Sequence, residues 1–173
     1  MGGYEMKLSK RLEDALNTQI NLEIEAAYTY KGMEQYFLEA GMAQYAHFFN
    51  EHVKEELEHA GDFKKFIEDV DGHVVFKAIN AVSTEYDSAQ HAFEAAMDHE
   101  KKISASIIGI LEIAIEEKHY AAENFLRTYV DEQVEEEDLF RSLLDAIKLA
   151  GAKGVAHYHL RDLLKHDDEE DEE

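Results

Sequence analysis

Four long segments of the chain carry hydrophobic residues that are separated alternately by three and by four positions in the sequence. These segments span residues 7–38, 43–70, 88–117 and 121–150. The spacing places the hydrophobic residues on one face of a helix and is typical of helices that pack nearly parallel in a bundle. Proline, which would interrupt a helix, is absent from all 173 residues. The pattern therefore predicts four long, unbroken helices.

The connections between these segments indicate their topology. The links "LEAGM" and "KHYA" are so short that each permits only an antiparallel hairpin. The link at 71–88 could reach about 60 Å when extended, whereas a 28-residue helix is about 42 Å long. This link can therefore return along the whole bundle before the third helix begins. The sequence predicts an all-α fold, an antiparallel four-helix bundle with one long crossover.

Glycines follow three of the predicted helices, at Gly41, Gly72 and Gly151. We expect each of them to adopt the left-handed conformation that ends many helices. Past the third of these glycines, "VAHYHLRDLLKH" at about 155–166 predicts a short fifth C-terminal helix, which packs on the bundle or on a neighbouring subunit. We expect residues 1–166 to form one domain and "DDEEDEE" at 167–173 to form an acidic disordered tail.

Polar side chains interrupt the hydrophobic face near the middle of every predicted helix. They are Glu23, Glu56, His59, Glu100, Gln133 and Glu136. The separation from Glu23 to Glu56 is 33 residues, and the separation from Glu100 to Gln133 is also 33. The two hairpins thus form a repeat, and two-fold packing of the hairpins brings all six groups to one level inside the bundle.

Four glutamates that face one another in a dry core repel and resist ionisation unless cations offset their charge. Two divalent metal ions neutralise four carboxylates, and oxygen ligands with one imidazole suit iron or manganese, with zinc as a competitor. Two other interpretations stay open: either the glutamate side chains extend to the bundle edge, or the polar layer only fixes the register of the helices.

His52 lies on the same face and is expected to be a packed or hydrogen-bonded core residue. Glu116 and His119 repeat the E-x-x-H spacing, but they lie about 24 Å beyond Glu100 along the helix and are expected at the surface.

The charge narrows the range of partners. A formal net charge of −22 argues against nucleic acid and anionic membrane surfaces as partners. It fits a protein that handles cations, a halotolerant protein, or simply an acidic surface. The absence of cysteine excludes disulfides and thiolate metal sites. No stretch resembles a signal peptide or a membrane span, so we expect a cytoplasmic protein.

The motifs "NLEIEAAYTY", "EELEHA", "DHEKKI" and "NFLRTYVDEQVEEE" together resemble the non-haem ferritins of bacteria and archaea, within the ferritin-like di-iron superfamily. The resemblance runs from residue 7 to about residue 165. It implies an iron-storage protein with ferroxidase activity, which oxidises ferrous iron with dioxygen or peroxide. It further implies a homo-oligomeric hollow shell of 24 subunits in which ferric oxyhydroxide mineral accumulates.

The same resemblance implies a role for each residue of the polar layer. One iron ion is expected to bind Glu23, Glu56 and His59. The second iron ion is expected to bind Glu100 and Glu136, with Glu56 as the bridge between the two. Tyr30 and Gln133 are expected to act beside these ligands. For a third iron site, which shares Glu136, the implied ligands are Glu55, Glu132 and Glu135. Haem is not expected, because Leu57 stands where haem-binding relatives carry a methionine.

Two other functions stay open at this point. A di-metal redox enzyme that acts on peroxide or an organic substrate would share the site without storing iron. A structural or adaptor bundle would use the polar layer only to pair its helices.

Overall fold

The computed structural model describes residues 6–152 and Gly154. Its helices are α1 at Lys10–Glu39, α2 at Ala43–Asp69, α3 at Ala89–Glu116 and α4 at Tyr120–Ala150. The predicted all-α bundle is confirmed, and each predicted segment matches a helix to within three residues at either end. The predicted fifth helix and acidic tail lie outside the described residues. Over the range that is described, no helix combines the length and the apolar character needed to cross a bilayer.

Two of the three glycines have the positive φ angle that the prediction requires, although the ψ angle of Gly151, 154°, is extended and not left-handed helical. Gly41 and Gly151 have positive φ angles of 71° and 74°. The prediction for Gly72 is wrong, because Asp71 takes the left-handed conformation instead, with φ of 57°. Gly72 is needed for space, since a Cβ atom there would lie 2.7 Å from Ile67 Cγ2. The backbone NH of Gly72 also donates to the carbonyl of Ile67 at 2.8 Å and closes the end of α2.

The expectation that Glu116 and His119 both lie at the surface is wrong for His119. Only 5% of His119 is exposed, whereas Glu116 is open to solvent. His119 Nδ1 accepts from the backbone NH of Ala122 at 3.1 Å and so caps the first turn of α4. The other ring nitrogen lies 2.9 Å from the carbonyl oxygen of Met6. His119 therefore connects the start of α4 to the N-terminal segment.

Two asparagines fix the crossover to α1. Asn17 Nδ2 donates to the carbonyl of His73 at 2.8 Å, and Asn17 Oδ1 accepts from the NH of Val75 at 2.7 Å. Asn21 repeats the arrangement one turn later with the carbonyl of Val75 and the NH of Lys77. Four residues of helix rise about 6 Å and two extended residues span about 6.6 Å, so the two spacings match. The crossover thus runs parallel to α1 in an extended conformation.

The crossover reaches the far end of α1, as predicted. The backbone at Ser83 passes Gly32 so closely that a Cβ atom on Gly32 would lie 2.2 Å from the Ser83 carbonyl oxygen. Farther along, the rings of Tyr36 and Tyr86 are in edge contact, with 5.4 Å between centroids. Because the chain has travelled the length of α1, α3 starts at that end and runs antiparallel to α1.

We expect Gly32→Ala to lower the free energy of unfolding by about 1–3 kcal/mol, because the new methyl group would displace the crossover backbone. Gly61→Ala is the matched control, since Gly61 lies inside α2 with nothing within 4 Å of the added Cβ atom. This control should be neutral or stabilise the protein by up to about 1 kcal/mol through helix propensity. Urea unfolding of both variants checks the prediction, and equal stability of the two would contradict the close packing of the crossover.

Candidate metal centre

The predicted polar layer lies inside the bundle, and each of the four helices contributes to it. Glu23 and Glu100 are 0% exposed, Glu56 is 4% exposed and Gln133 is 6% exposed. Side chains that extended to the bundle edge would place their polar ends in water, so that interpretation does not fit these four residues. Burial of three carboxylates at one level requires compensation by hydrogen bonds, protons or cations.

The first group of metal-ligand type contains Glu23 from α1 with Glu56 and His59 from α2. One ligand atom of each lies within 4.8 Å of the others. Glu56 and His59 share a face because they are three residues apart on the helix, and His59 Nδ1 lies 3.5 Å from Glu56 Oε2. Gln19 donates to Glu23 Oε1 at 2.7 Å. The Oε2 atoms of Glu23 and Glu56 are buried without a hydrogen-bond partner, which is costly in a core and suits metal ligands.

Hydrogen bonds from two neighbours hold the Glu100 carboxylate in place. The hydroxyl of Tyr30 donates to Glu100 Oε1, and Gln133 Nε2 donates to Glu100 Oε2 at 3.1 Å. Gln133 Nε2 also lies 3.1 Å from Ser104 Oγ. Tyr30 is in turn fixed by stacking on Phe140, with 6.0 Å between ring centroids. These contacts orient Glu100 before any cation binds.

Glu136 lies with a second group. One ligand atom each of Glu136, His52 and Glu55 lie within 4.8 Å of one another. His52 Nε2 is 3.3 Å from Glu136 Oε2. The structure therefore brings Glu136 together with His52, which the sequence predicted to be a packed or hydrogen-bonded core residue.

The residues expected at a third iron site are divided between different surroundings. Glu55 belongs to the group of His52 and Glu136, whereas Glu132 Oε2 lies 3.4 Å from His59 Nε2. Glu135 is exposed and belongs to neither of the two groups. An iron site made of Glu55, Glu132 and Glu135 stays a prediction.

Burial changes the acidity of the layer. The pKa of Glu23 is well above its ordinary value because of burial and the nearby charge of Glu56. The pKa of Glu56 is likewise well above its ordinary value because of burial and the nearby charge of Glu100. Burial raises the pKa of Glu100 to about 7. Burial lowers the pKa of His52, but the adjacent Glu136 carboxylate outweighs this effect and raises it to about 9. The layer thus retains protons that cations can replace.

Sequence reasoning missed several residues that support the layer. Gln19 is fully buried and could have been found from its position one turn before Glu23 on the same helix face. Ser104 lies one turn after Glu100 on α3 and contacts Gln133. The ring of His99 lies 6.0 Å from that of Tyr30, and no periodicity indicated this contact.

Comparison with known proteins finds relatives that match most of the chain. The family profile described as Ferritin-like domain matches residues 13–150. A bacterial non-heme ferritin from Campylobacter jejuni is 36% identical over 151 residues, which cover 87% of this chain and 90% of the relative. A bacterial non-heme ferritin from Staphylococcus aureus is 33% identical over 151 residues, which cover 87% of this chain and 91% of the relative. An open pore ferritin from the hyperthermophilic archaeon Archaeoglobus fulgidus superposes with a TM-score of 0.85 at 35% identity, covering 91% of this chain and 98% of the other.

Proposed function

The chain belongs to the ferritin family, and we propose that this iron-storage protein oxidises Fe(II) with dioxygen at the buried carboxylate layer. Ferric iron then moves inward and accumulates as an oxyhydroxide mineral inside a homo-oligomeric shell. The observation that carries the proposal is the pair of buried, unpartnered carboxylate oxygens of Glu23 and Glu56 in one group with His59.

The ligand assignment is the one that the resemblance to ferritins implies, and the burial of Glu23, Glu56 and Glu100 supports it. Glu23, Glu56 and His59 bind one ferrous ion, and Glu56 also bridges to a second ion that Glu100 and Glu136 bind. Carboxylates suit this task because they can bind iron through one or two oxygens as the charge on iron changes. Two ferrous ions bring four positive charges to four carboxylates, so loading proceeds with release of the protons that the layer retains.

The protein contributes mainly by holding two metal ions beside one dioxygen molecule. Each turnover would remove one electron from each of two ferrous ions and transfer both electrons to dioxygen, which takes up two protons and leaves as hydrogen peroxide. No side chain acts as a nucleophile. Tyr30 and Gln133 restrain Glu100 through their hydrogen bonds, which limits the movement of that ligand during the change in iron charge.

Anaerobic addition of Fe(II) followed by air separates this function from the alternatives. Uptake of two ferrous ions per chain, rapid oxidation and then bulk mineral formation are expected. Turnover of peroxide or an organic substrate without mineral would favour a di-metal redox enzyme, which has the same ligand types. Absence of any oxidation above that of free iron would favour a structural bundle and contradict the proposal.

Assembly can be tested without iron. Twenty-four copies of a 19.9 kDa chain form a particle of about half a megadalton. We expect light scattering on the purified protein to give that mass, because a storage cavity requires a closed shell. A monomer or dimer under the same conditions would contradict storage inside a shell while leaving the oxidation chemistry possible.

A further inference from the structure

An apolar cleft between α3 and α4 connects the surface of the bundle with the buried carboxylate layer. We propose that this cleft binds dioxygen and delivers it to the layer, a role that rests on the proposed oxidation of Fe(II). The cleft has a volume of about 540 Å³. Its apolar lining consists of Ala105, Ile107, Ile108, Val130 and Val134.

The cleft extends from an exposed rim to a buried floor. At the rim, the side chains of Ile108 and Val134 are open to solvent, with 44% and 67% of each residue exposed. At the floor, Ile107 and Gln133 are buried. A small molecule that enters at the rim therefore leaves water behind as it approaches Gln133.

The inner end of the cleft is formed by side chains that are hydrogen-bonded to the carboxylate layer. Gln133 and Ser104 both line the cleft. Gln133 Nε2 donates to Glu100 Oε2 at 3.1 Å and lies 3.1 Å from Ser104 Oγ. A molecule that touches Gln133 in the cleft is thus separated from the Glu100 carboxylate by a single side chain. Movement of the Gln133 side chain would complete the route.

The chemistry of the lining favours an uncharged molecule. Dioxygen has no charge and no strong hydrogen-bonding group, so its transfer from water into an apolar cleft is not opposed by desolvation. A ferrous ion would lose hydrating water there, and apolar side chains offer no ligands in exchange. The charged residues of the lining, Glu137 and Arg141, have opposite signs and give a cation no net attraction. The cleft therefore suits dioxygen rather than ferrous iron.

A second apolar cleft shows that apolar character alone does not define this role. It has a volume of about 380 Å³, and its lining includes Ile24, Tyr28, Leu57 and Ile79. None of the described residues that line it belongs to the polar layer. Of the two clefts, the one between α3 and α4 is thus the one in contact with the layer, through Gln133.

Xenon under pressure tests binding in the cleft without iron, because xenon is small and uncharged and binds in apolar cavities of proteins. In crystals of the metal-free protein we expect a xenon peak beside Ile107 and Gln133. Ile108→Trp combined with Val134→Trp should remove this peak, since two indole rings would cover the rim. If the double variant does not fold, Ile108→Trp alone should weaken the peak.

Ile115→Trp is the matched control. Ile115 is 47% exposed, much as Ile108 is, and it lies seven residues, or about 10 Å, farther along the same face of α3, outside the cleft. This variant should keep the xenon peak. Absence of xenon from the cleft in the wild type would overturn the proposal, as would a side chain of a neighbouring subunit that fills the cleft in the assembled protein.

Oxidation kinetics at varied dioxygen concentration test delivery. In the double variant the KM for dioxygen should rise by roughly threefold or more with kcat unchanged, because the substitutions restrict access and leave the metal ligands in place. Ile115→Trp should match the wild type, and anaerobic binding of two ferrous ions per chain should be the same in all three proteins. A wild-type KM in a variant that has lost the xenon peak would overturn delivery through the cleft. Xenon in the cleft of a protein that does not oxidise Fe(II) at all would contradict the proposed function and, with it, the delivery role.

Discussion

Replacement of Glu56 by alanine should abolish the fast phase of Fe(II) oxidation, with a decrease in initial rate of at least roughly 100-fold. Glu56 is the proposed bridging ligand, so its removal affects both metal positions at once. It is 4% exposed, and no other carboxylate of α2 belongs to the group of Glu23 and His59. Slow mineral growth on the acidic cavity wall should persist, because it does not require paired iron ions.

Stopped-flow absorbance after mixing with air-saturated buffer measures this rate. Glu58→Ala is the control, since Glu58 is an exposed carboxylate two residues away on the same helix. It removes the same charge and should oxidise iron at the wild-type rate. A wild-type rate in Glu56→Ala would refute the bridging role, and equal losses in both variants would indicate an effect of charge rather than of ligation.

The metal-free protein should lose stability as the pH rises from about 5 to about 8. The pKa of Glu100 rises from 4.5 in the unfolded chain to about 7 in the folded protein because of burial. A raised pKa contributes stability below pH 4.5, and this contribution is lost as the pH rises through 7. The difference corresponds to about 3 kcal/mol of unfolding free energy as an upper bound. The raised pKa values of Glu23 and Glu56 act in the same direction.

Urea unfolding in the presence of a chelator at several pH values measures this loss. His99 changes the stability in the opposite direction as the pH rises, because burial and the charge of Lys102 lower its pKa to about 4. A variant of Glu100 is therefore needed to measure the contribution of Glu100 alone. Glu100→Gln should show a smaller loss of stability between pH 5 and 8, whereas Glu112→Gln, an exposed substitution on the same helix, should behave as the wild type does. Divalent cations should restore stability at pH 8. The same pH dependence in all three proteins would contradict a costly buried Glu100.

The fold and the polar layer could be predicted because they depend on periodic features. Hydrophobic spacing specified the four helices, and the length of the 71–88 link specified a crossover along the bundle. The equal separations of Glu23 from Glu56 and of Glu100 from Gln133 indicated one shared level, and burial of these residues in the structure agrees with it. Their role as iron ligands stays a prediction.

Other features depend on contacts that no local pattern encodes. The burial of His119 depends on Met6, which lies 113 residues away in the sequence. The need for glycine at position 72 depends on the close approach of Ile67, and no local pattern indicated that Asp71 takes the positive φ angle. The pairing of His52 with Glu136 required the relative rotation of α2 and α4, which helical periodicity alone does not define.

Crystals soaked anaerobically with a ferrous salt test the central claim most directly, because that claim concerns where iron binds. The account predicts two iron ions per chain inside the bundle, both bound to Glu56, with Glu23 and His59 on one and Glu100 and Glu136 on the other. Iron found only on the acidic surface, with this interior group empty or its glutamates turned to solvent, would contradict the account.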